Sequence, residues 1–311
     1  MIDGTLPRVS VGLPVYNGKV YLEEAIDSVL GQTFTDFELI ISDNASTDTT
    51  QAICEAYAAR DARVKYHRNE ENRGAAWNFN NVVHLARASY FKWQCYDDYI
   101  GPTLLQDCVQ VLEKEPDVVL AYPRATIVDQ HNSIIGVWSD EFETHGLQPH
   151  ARLRHYWRHK SRNEAQYGVY RTDVLRTTGL MGTIPFSDQV LMAEMMLRGE
   201  FREIETPSFF KRFHPGISTE AHSIYSLAGF LDPKNKGKVG LPRFKRFVEY
   251  LRAVNNTNLP PLEKLYCYRE LVALVFMPAN WGRMIKDVSI AGMHHARQSV
   301  GRKPHDTLKQ K

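Results

Sequence analysis

An α/β fold is predicted: a mixed, mostly parallel sheet flanked by helices, with a helical extension at the C-terminal end. Three observations carry this. Short apolar runs near 9–13, 38–42, 64–67, 90–95 and 118–122 alternate with segments whose apolar residues recur at helical spacing. The early runs each end in polar turn residues, as strands do when their carboxyl ends reach one edge of a sheet. From about residue 223 the strand pattern stops and basic, helical segments follow. The 311 residues suit one large domain, or one with an appendage.

The formal net charge of +2 gives no general argument for nucleic acid as a partner. The four cysteines, Cys54, Cys95, Cys108 and Cys267, form no C-x-x-C pair, so a zinc or redox motif is not expected. Three of them lie in apolar-periodic segments and read as reduced core residues, which suits a cytoplasm-like compartment. The opening MIDGTLPRVSVGLP does not read as a signal peptide, and no apolar stretch approaches the roughly 20 residues of a membrane span.

Val9–Leu13 is read as a strand ending at Pro14. A helix follows, with Leu22, Ala25, Ile26, Val29 and Leu30 on one face. In the turn between them Tyr16 offers a flat face for a base and Asn17 an amide, although an ordinary Asn-Gly turn would look the same. Glu38–Ser42 is a second strand. Ser46 or Thr47 is expected to cap the next helix, which turns Ile53, Ala56 and Tyr57 inward. That leaves Asp43 free to accept from a ligand such as a pyrimidine ring N–H. Val64–His67 is a third strand, with Arg73 in the loop before a helix over 75–87. Tyr90–Ile100, YFKWQCYDDYI, reads as a buried strand ending in Asp97 and Asp98. Two carboxylates at a strand's end can hold a divalent cation through oxygen, and a solvated acidic turn would show the same pair.

Pro102–Lys114 is a helix with Leu104, Leu105, Cys108, Val109 and Leu112 inward. Val118–Tyr122 is a strand, and Ile127–Val128 with Ile134–Val137 forms a hairpin. Residues 138–165 show weak periodicity. Asp188 stands as an N-cap before a helix carrying Val190, Leu191, Ala193, Met195 and Leu197. Ser208–His214 is a strand whose alternation puts Phe210, Arg212 and His214 on one face. Ser223–Leu231 and Leu262–Met277 are helical, the latter with Leu265, Tyr268, Leu271, Val272, Val275 and Phe276 on its apolar face. Between them Pro233–Arg252 is basic and suits either anionic lipid or a cap on the main domain. The sequence contains no G-x-G-x-x-G after the first strand, no P-loop and no G-x-S-x-G elbow.

The ordered set P-V-Y-N, S-D-N-A-S-T-D, N-R-G and Y-D-D-Y resembles the family-2 inverting glycosyltransferases of the GT-A fold, over about residues 7–220. The resemblance implies a catalytic domain over 1–222, with a donor half to about 123 and an acceptor half beyond it, and a basic helical extension over 223–311. It implies a nucleoside-diphosphate sugar donor, uridine or thymidine favoured through Asp43, and a saccharide or lipid-linked acceptor. Pro14, Tyr16, Asn17, Asp43 and Arg73 would hold the nucleoside. Asp97 would lie toward the ribose or metal, and Arg212 toward the diphosphate. Asp98 and His214 would bind Mg²⁺ or Mn²⁺, and Asp188 would be the general base. The family often shows Asp-x-Asp where Cys95-Tyr96-Asp97-Asp98 stands here, which leaves two acidic oxygen donors. A nucleotidyltransferase or a non-catalytic nucleotide-sugar module would share part of this pattern.

Overall fold

Why the first strands read as unbroken apolar runs is plain from their surroundings: β1 (Val9–Val15) and β2 (Phe37–Asp43) are buried at every position. A parallel strand covered on both faces has no polar side to alternate with. The computed structural model describes residues 6–142, 144–158, 162–216, 223–224, 226–238 and 240–301. Among them one sheet runs in the order β3-β2-β1-β4-β8-β6-β9-β5, with β7 on β6. The other strands are β3 (Val64–Arg68), β4 (Tyr90–Trp93), β5 (Tyr99–Ile100), β6 (Val118–Val128), β7 (Ile134–Trp138), β8 (Val169–Arg171) and β9 (Glu200–Arg212). Pairing is parallel across β3-β2-β1-β4 and between β6 and β9, and antiparallel at β8, β7 and β5.

Helices α1 (Leu22–Leu30), α2 (Thr50–Arg60) and α3 (Ala75–Leu85) follow β1, β2 and β3. The parallel register sets Val15, Asp43 and Arg68 side by side at the carboxyl edge. Pro14 fits inside a central strand because β4 pairs only as far as Gly12. The Gly12 carbonyl accepts from Gln94 N–H, so the alternation aims the donor that Pro14 lacks past the end of β4.

Two apolar groups form the core. One joins α1 and α4 (Leu104–Lys114) to the sheet through Leu22, Ile26, Leu104, Cys108 and Leu112. The other joins α3, α5 (Pro149–Arg158) and α7 (Ser187–Arg198) with α9 (Pro242–Asn256) and α10 (Pro261–Val275). Phe247, Tyr250, Cys267 and Leu271 of the C-terminal extension share this group with Trp93 and Tyr170 of the sheet, so α9 and α10 pack as part of the main body. The remaining helices are α6 (Thr172–Arg176), α8 (Leu227–Leu231) and α11 (Pro278–Gly301), with 3₁₀ turns at Glu164–Tyr167 and Pro233–Asn235.

Several expectations are corrected. The apolar run from Tyr90 leaves the sheet at Trp93, so Asp97 and Asp98 stand in a turn between two strands. The segment 138–165 holds α5, whose Arg152, Leu153 and Tyr156 are buried. Arg152 gives its guanidinium to the Met196 and Leu147 carbonyls, so a charged residue occupies a core position and hides the period. Helix α2 starts at Thr50, with Asp48 Oδ1 accepting the Thr50 N–H at 3.0 Å, and Cys54 rather than Ala56 turns inward. On α10, Leu265, Val272 and Phe276 are exposed, while Cys267, Glu270, Leu271 and Leu274 face in. Contacts with α5 set that face: Glu270 meets Arg154, and Glu263 meets His150. Only Leu227–Leu231 of the expected 223–231 helix is helical among the described residues.

Gly12 marks the closest approach of sheet and helix. A Cβ there would stand 2.7 Å from Val82 Cβ on α3 and 2.8 Å from Phe91 Cζ. Gly12→Ala is expected to cost about 1–3 kcal/mol through overpacking, read as a lower midpoint in urea denaturation with an unchanged slope.

Candidate active site

The acidic turn after β4 is held from below. Gln94 Nε2 donates to the Cys95 and Asp98 carbonyls at 3.0 and 2.8 Å. Lys92, wholly buried in β4, donates to the Trp93 carbonyl and Gln94 Oε1, and burial lowers its pKa to about 8. Asp98 Oδ1 accepts the Arg212 backbone N–H at 2.9 Å, and Asp98 Oδ2 accepts from Lys211 Nζ at 2.9 Å. His214 Nδ1 accepts from Gly216 N–H, so the proton lies on Nε2, which donates to Asp97 Oδ2 at 3.1 Å. Burial and the neighbouring Asp97 charge push Asp98 above the usual carboxylate range, against Lys211. For Asp97 the cost of burial is outweighed by His214 and Lys211, and its pKa falls. Lys211 is held well above the ordinary amine value: burial opposes its charge, but Asp98, Tyr167 and Glu164 more than offset that.

Cys95 Sγ and one oxygen each of Asp97 and Asp98 lie within 4.8 Å of one another. The two carboxylate oxygens suit a hard cation such as Mg²⁺ or Mn²⁺. Burial raises the Cys95 thiol pKa, and a soft sulfur matches a hard cation less well than the two carboxylate oxygens. His214 stands outside that cluster. Its Nε2 donates to Asp97 Oδ2 and so orients that carboxylate.

A cavity of about 310 Å³ opens at the carboxyl edge of β1, lined by Pro14, Tyr16, Asn44, Asn72, Asn78 and Asp97 among others. Pro14, Tyr16 and Asp97 thus line one cavity. The other expected donor contacts do not. Asp43 is wholly enclosed: Oδ1 accepts Ser46 N–H, and Oδ2 accepts from Tyr66 Oη and Arg68 Nη1. Asn17, at φ 54°, uses Oδ1 to hold Thr47 N–H and lies outside the lining. Arg73 is exposed and stacks on Trp77 at 4.1 Å, also outside the lining. Arg212 is only 2% exposed and points away, donating to Glu24 Oε2, Asn132 Oδ1 and the Asp97 carbonyl between the rings of Tyr21 and Tyr99. Lys211 is the basic residue of β9 that reaches the cavity. The pairing of β9 with β6 shifts register between Pro123 and Ala125, and the main chain of Arg212, not its side chain, meets Asp98.

A second cavity, of about 700 Å³, shares Phe79, Tyr167 and Lys211 with the first and is lined further by Trp138, Arg162, Glu164, Gln166, Asp188 and Phe213. Asp188 lies inside the first turn of α7. Phe186, at φ 70°, holds the cap position, so Asp188 is not the N-cap the sequence suggested. Its Oδ2 accepts from Asn163 Nδ2 at 2.9 Å, and Asn163 Oδ1 accepts from Tyr156 Oη at 3.1 Å. Burial raises the Asp188 pKa against the pull of Asn163. Glu164 Oε2 and Gln166 Oε1 are buried acceptors with no partner among the described residues. Sequence reasoning missed Lys211, Asn163, Glu164, Gln166 and Asn78. For Lys211 a signal existed, since it sits one residue from Arg212 in SFFKRFH. Asn163, Glu164 and Gln166 lie in or beside the segment of weak periodicity, and Asn78 sits in α3, whose buried face showed only as apolar spacing.

This mixed, mostly parallel sheet flanked by helices is that of the GT-A glycosyltransferases. The sequence profile of Glycosyl transferase family 2 matches residues 10–175. The chain belongs to that family. It is 30% identical over 130 residues to chondroitin synthase of Escherichia coli, covering 42% of this chain and 19% of that protein. The chain spans 38% of the length of two further relatives. Among solved structures, S. aureus TarS 1-349 in complex with UDP-GlcNAc superposes with a TM-score of 0.61 at 18% identity, covering 86% of this chain and 72% of that one. Mannosyltransferase PcManGT from Pyrobaculum calidifontis in complex with GDP-Man and Mn²⁺ gives 0.54 at 14% identity, covering 96% and 80%. At these identities the two structures show the shared fold alone.

Burial pushes the Glu164 carboxyl up to about 7, with Lys211 opposing and Asp98 adding to the rise. The folded state therefore keeps a proton that the unfolded chain loses near pH 4.5. This contribution to stability is present at low pH and is lost as pH rises toward 7. Glu164→Gln cannot ionise. Between pH 5 and 8 it is expected to lose about 2 kcal/mol less stability than the wild type, measured by chemical denaturation across that range.

Proposed function

We propose that this chain is a metal-dependent, inverting glycosyltransferase that moves a sugar from a nucleoside diphosphate to an acceptor hydroxyl. One observation carries the reading: two cavities meet at Phe79, Tyr167 and Lys211, with the Asp97 end of the acidic turn on one and Asp188 on the other. The first would take the nucleoside diphosphate, with Tyr16 as a face for the base and the amides of Asn44, Asn72 and Asn78 as polar contacts. Asp98 and Asp97 would hold Mg²⁺ or Mn²⁺, with His214 fixing Asp97, and the cation would neutralise charge on the leaving diphosphate. A solved neighbour carrying GDP-Man and Mn²⁺ supports the metal.

In the transfer the acceptor oxygen forms a bond to the anomeric carbon as the bond from that carbon to the diphosphate oxygen breaks. The hydroxyl proton passes to Asp188 and the nucleoside diphosphate leaves. Attack from the face opposite the diphosphate inverts the centre. A single carboxylate serves as base and no covalent intermediate is needed. Burial raises the proton affinity of Asp188, and Asn163 aims it. A saccharide acceptor is supported by Trp138 and Phe213 on the wall of the second cavity and by the unpartnered oxygens of Glu164 and Gln166, which sugar hydroxyls would satisfy.

Uridine diphosphate is the donor nucleotide we favour, on the TarS complex with UDP-GlcNAc. Asp43 no longer supports the choice, since its oxygens are enclosed. A role in polysaccharide synthesis follows the likeness to chondroitin synthase. Membrane contact through 234–252 would rest on Lys234, Lys236, Lys238, Lys245 and Arg252, which are exposed, whereas Arg243 and Arg246 are bound to Asp287 and Gln189. No helix among the described residues is long and apolar enough to cross a membrane.

Asp188→Asn keeps the shape and the bond from Asn163. It is expected to lower transfer by ~10²–10⁴ while donor affinity stays within about twofold; turnover and isothermal titration on one preparation check this. Normal transfer would remove Asp188 from the chemistry. Asp98→Asn is expected to abolish the gain in UDP affinity that Mn²⁺ brings, with the far-ultraviolet circular dichroism unchanged. The same titration with dTDP and GDP ranks the base.

A further inference from the structure

Lys211 is a largely enclosed ammonium, its side chain 12% exposed, standing where the charge of a divalent cation would act. Its Nζ is 2.9 Å from Asp98 Oδ2 and 5.0 Å from the centre of the Tyr167 ring, and its side chain lines both cavities. Asp98 is wholly buried, so its charge cannot be left unpaired without a large cost. Asp98 Oδ1 is already taken by a backbone N–H, so Oδ2 is the oxygen open to competition. A cation binding at Asp98 must therefore share or displace the ammonium.

We propose that Lys211 is the resident counter-cation of the acidic turn, and that it leaves Asp98 for the donor diphosphate when a divalent cation takes that carboxylate. Lys211 would then do two things. It keeps Asp97 and Asp98 compensated while the site is empty, and it adds a phosphate contact once the donor is in place. Metal and donor binding become coupled, because each favours the position of Lys211 that suits the other. The flexible stem of lysine allows the move; the neighbouring Arg212 is locked by Glu24, Asn132 and two aromatic rings. The inference rests on the donor reading given above.

The test is Mn²⁺ binding without nucleotide, followed by electron paramagnetic resonance, in the wild type, Lys211→Gln and Lys211→Arg. UDP is then titrated with and without Mn²⁺. Lys211→Gln is expected to bind Mn²⁺ alone about tenfold tighter than the wild type and UDP alone more weakly. The mutual enhancement of Mn²⁺ and UDP shrinks in the same variant. Lys211→Arg keeps the charge and stays near the wild type, and it controls for a folding defect in the neutral variant. Mn²⁺ affinity in Lys211→Gln equal to or weaker than wild type overturns the competition, as does absence of Mn²⁺ binding in both while UDP still binds. Tighter Mn²⁺ binding in Lys211→Gln with no UDP binding in any of the three proteins overturns the donor reading and leaves the competition standing.

Discussion

The site depends on one buried guanidinium. Arg212 closes β9, and its side chain ties together three pieces of chain that are distant in sequence: Glu24 and Tyr21 at α1, Asp97 and Tyr99 at the acidic turn and β5, and Asn132 in the β6–β7 hairpin. Its backbone N–H holds Asp98. An arginine so enclosed keeps its charge, so each partner must come to it, and the fork geometry of the guanidinium fixes where they stand. The turn carrying Asp97 and Asp98 is shaped from behind by this residue, which leaves the front of the turn free to face the cavity.

Charge compensation organises the front in the same way. Two adjacent carboxylates, both buried, repel one another and lose their hydration. The protein answers with His214 on one and Lys211 on the other. At the far edge of the sheet Arg68 and Tyr66 do the same for Asp43, which is wholly enclosed beside the cavity residue Asn44. In the function proposed above, a diphosphate and its cation would meet Lys211 at the mouth of this region, with the locked charge of Arg212 behind it.

The positions of the site elements were legible in the sequence, while several of the roles were not. Strand ends near Leu13, Ser42 and His67 could be read from apolar runs and the polar residues that stop them, and the structure carries the three strands on to Val15, Asp43 and Arg68. Which basic residue meets Asp43 could not be read. The parallel register sets Arg68 opposite Asp43, and Arg73 falls outside on Trp77. In SFFKRFH, alternation put Phe210 and Arg212 on one face, and the resemblance turned that face to the diphosphate; in the fold that face meets Tyr99, and Lys211 on the other face lines the cavity. Asp188 was found as the carboxylate of α7 by resemblance, but Phe186 in a left-handed conformation takes the cap and turns Asp188 into the first helical turn, toward Asn163.

By itself the sequence determined the α/β class, the order of strands and helices along the chain, and the acidic turn after the fourth apolar run. These are set by short-range pattern, since burial of a whole strand or one face of a helix leaves its period in the residues. Tertiary structure alone decided which side of α10 faces in, which lysine or arginine serves which carboxylate, and how the Glu164–Tyr167 turn comes beside Asp188. Those outcomes come from pairing register and from contacts between residues far apart in the chain, where a partner's position, and not a residue's own character, settles whether a charge is enclosed, exposed or aimed into a cavity.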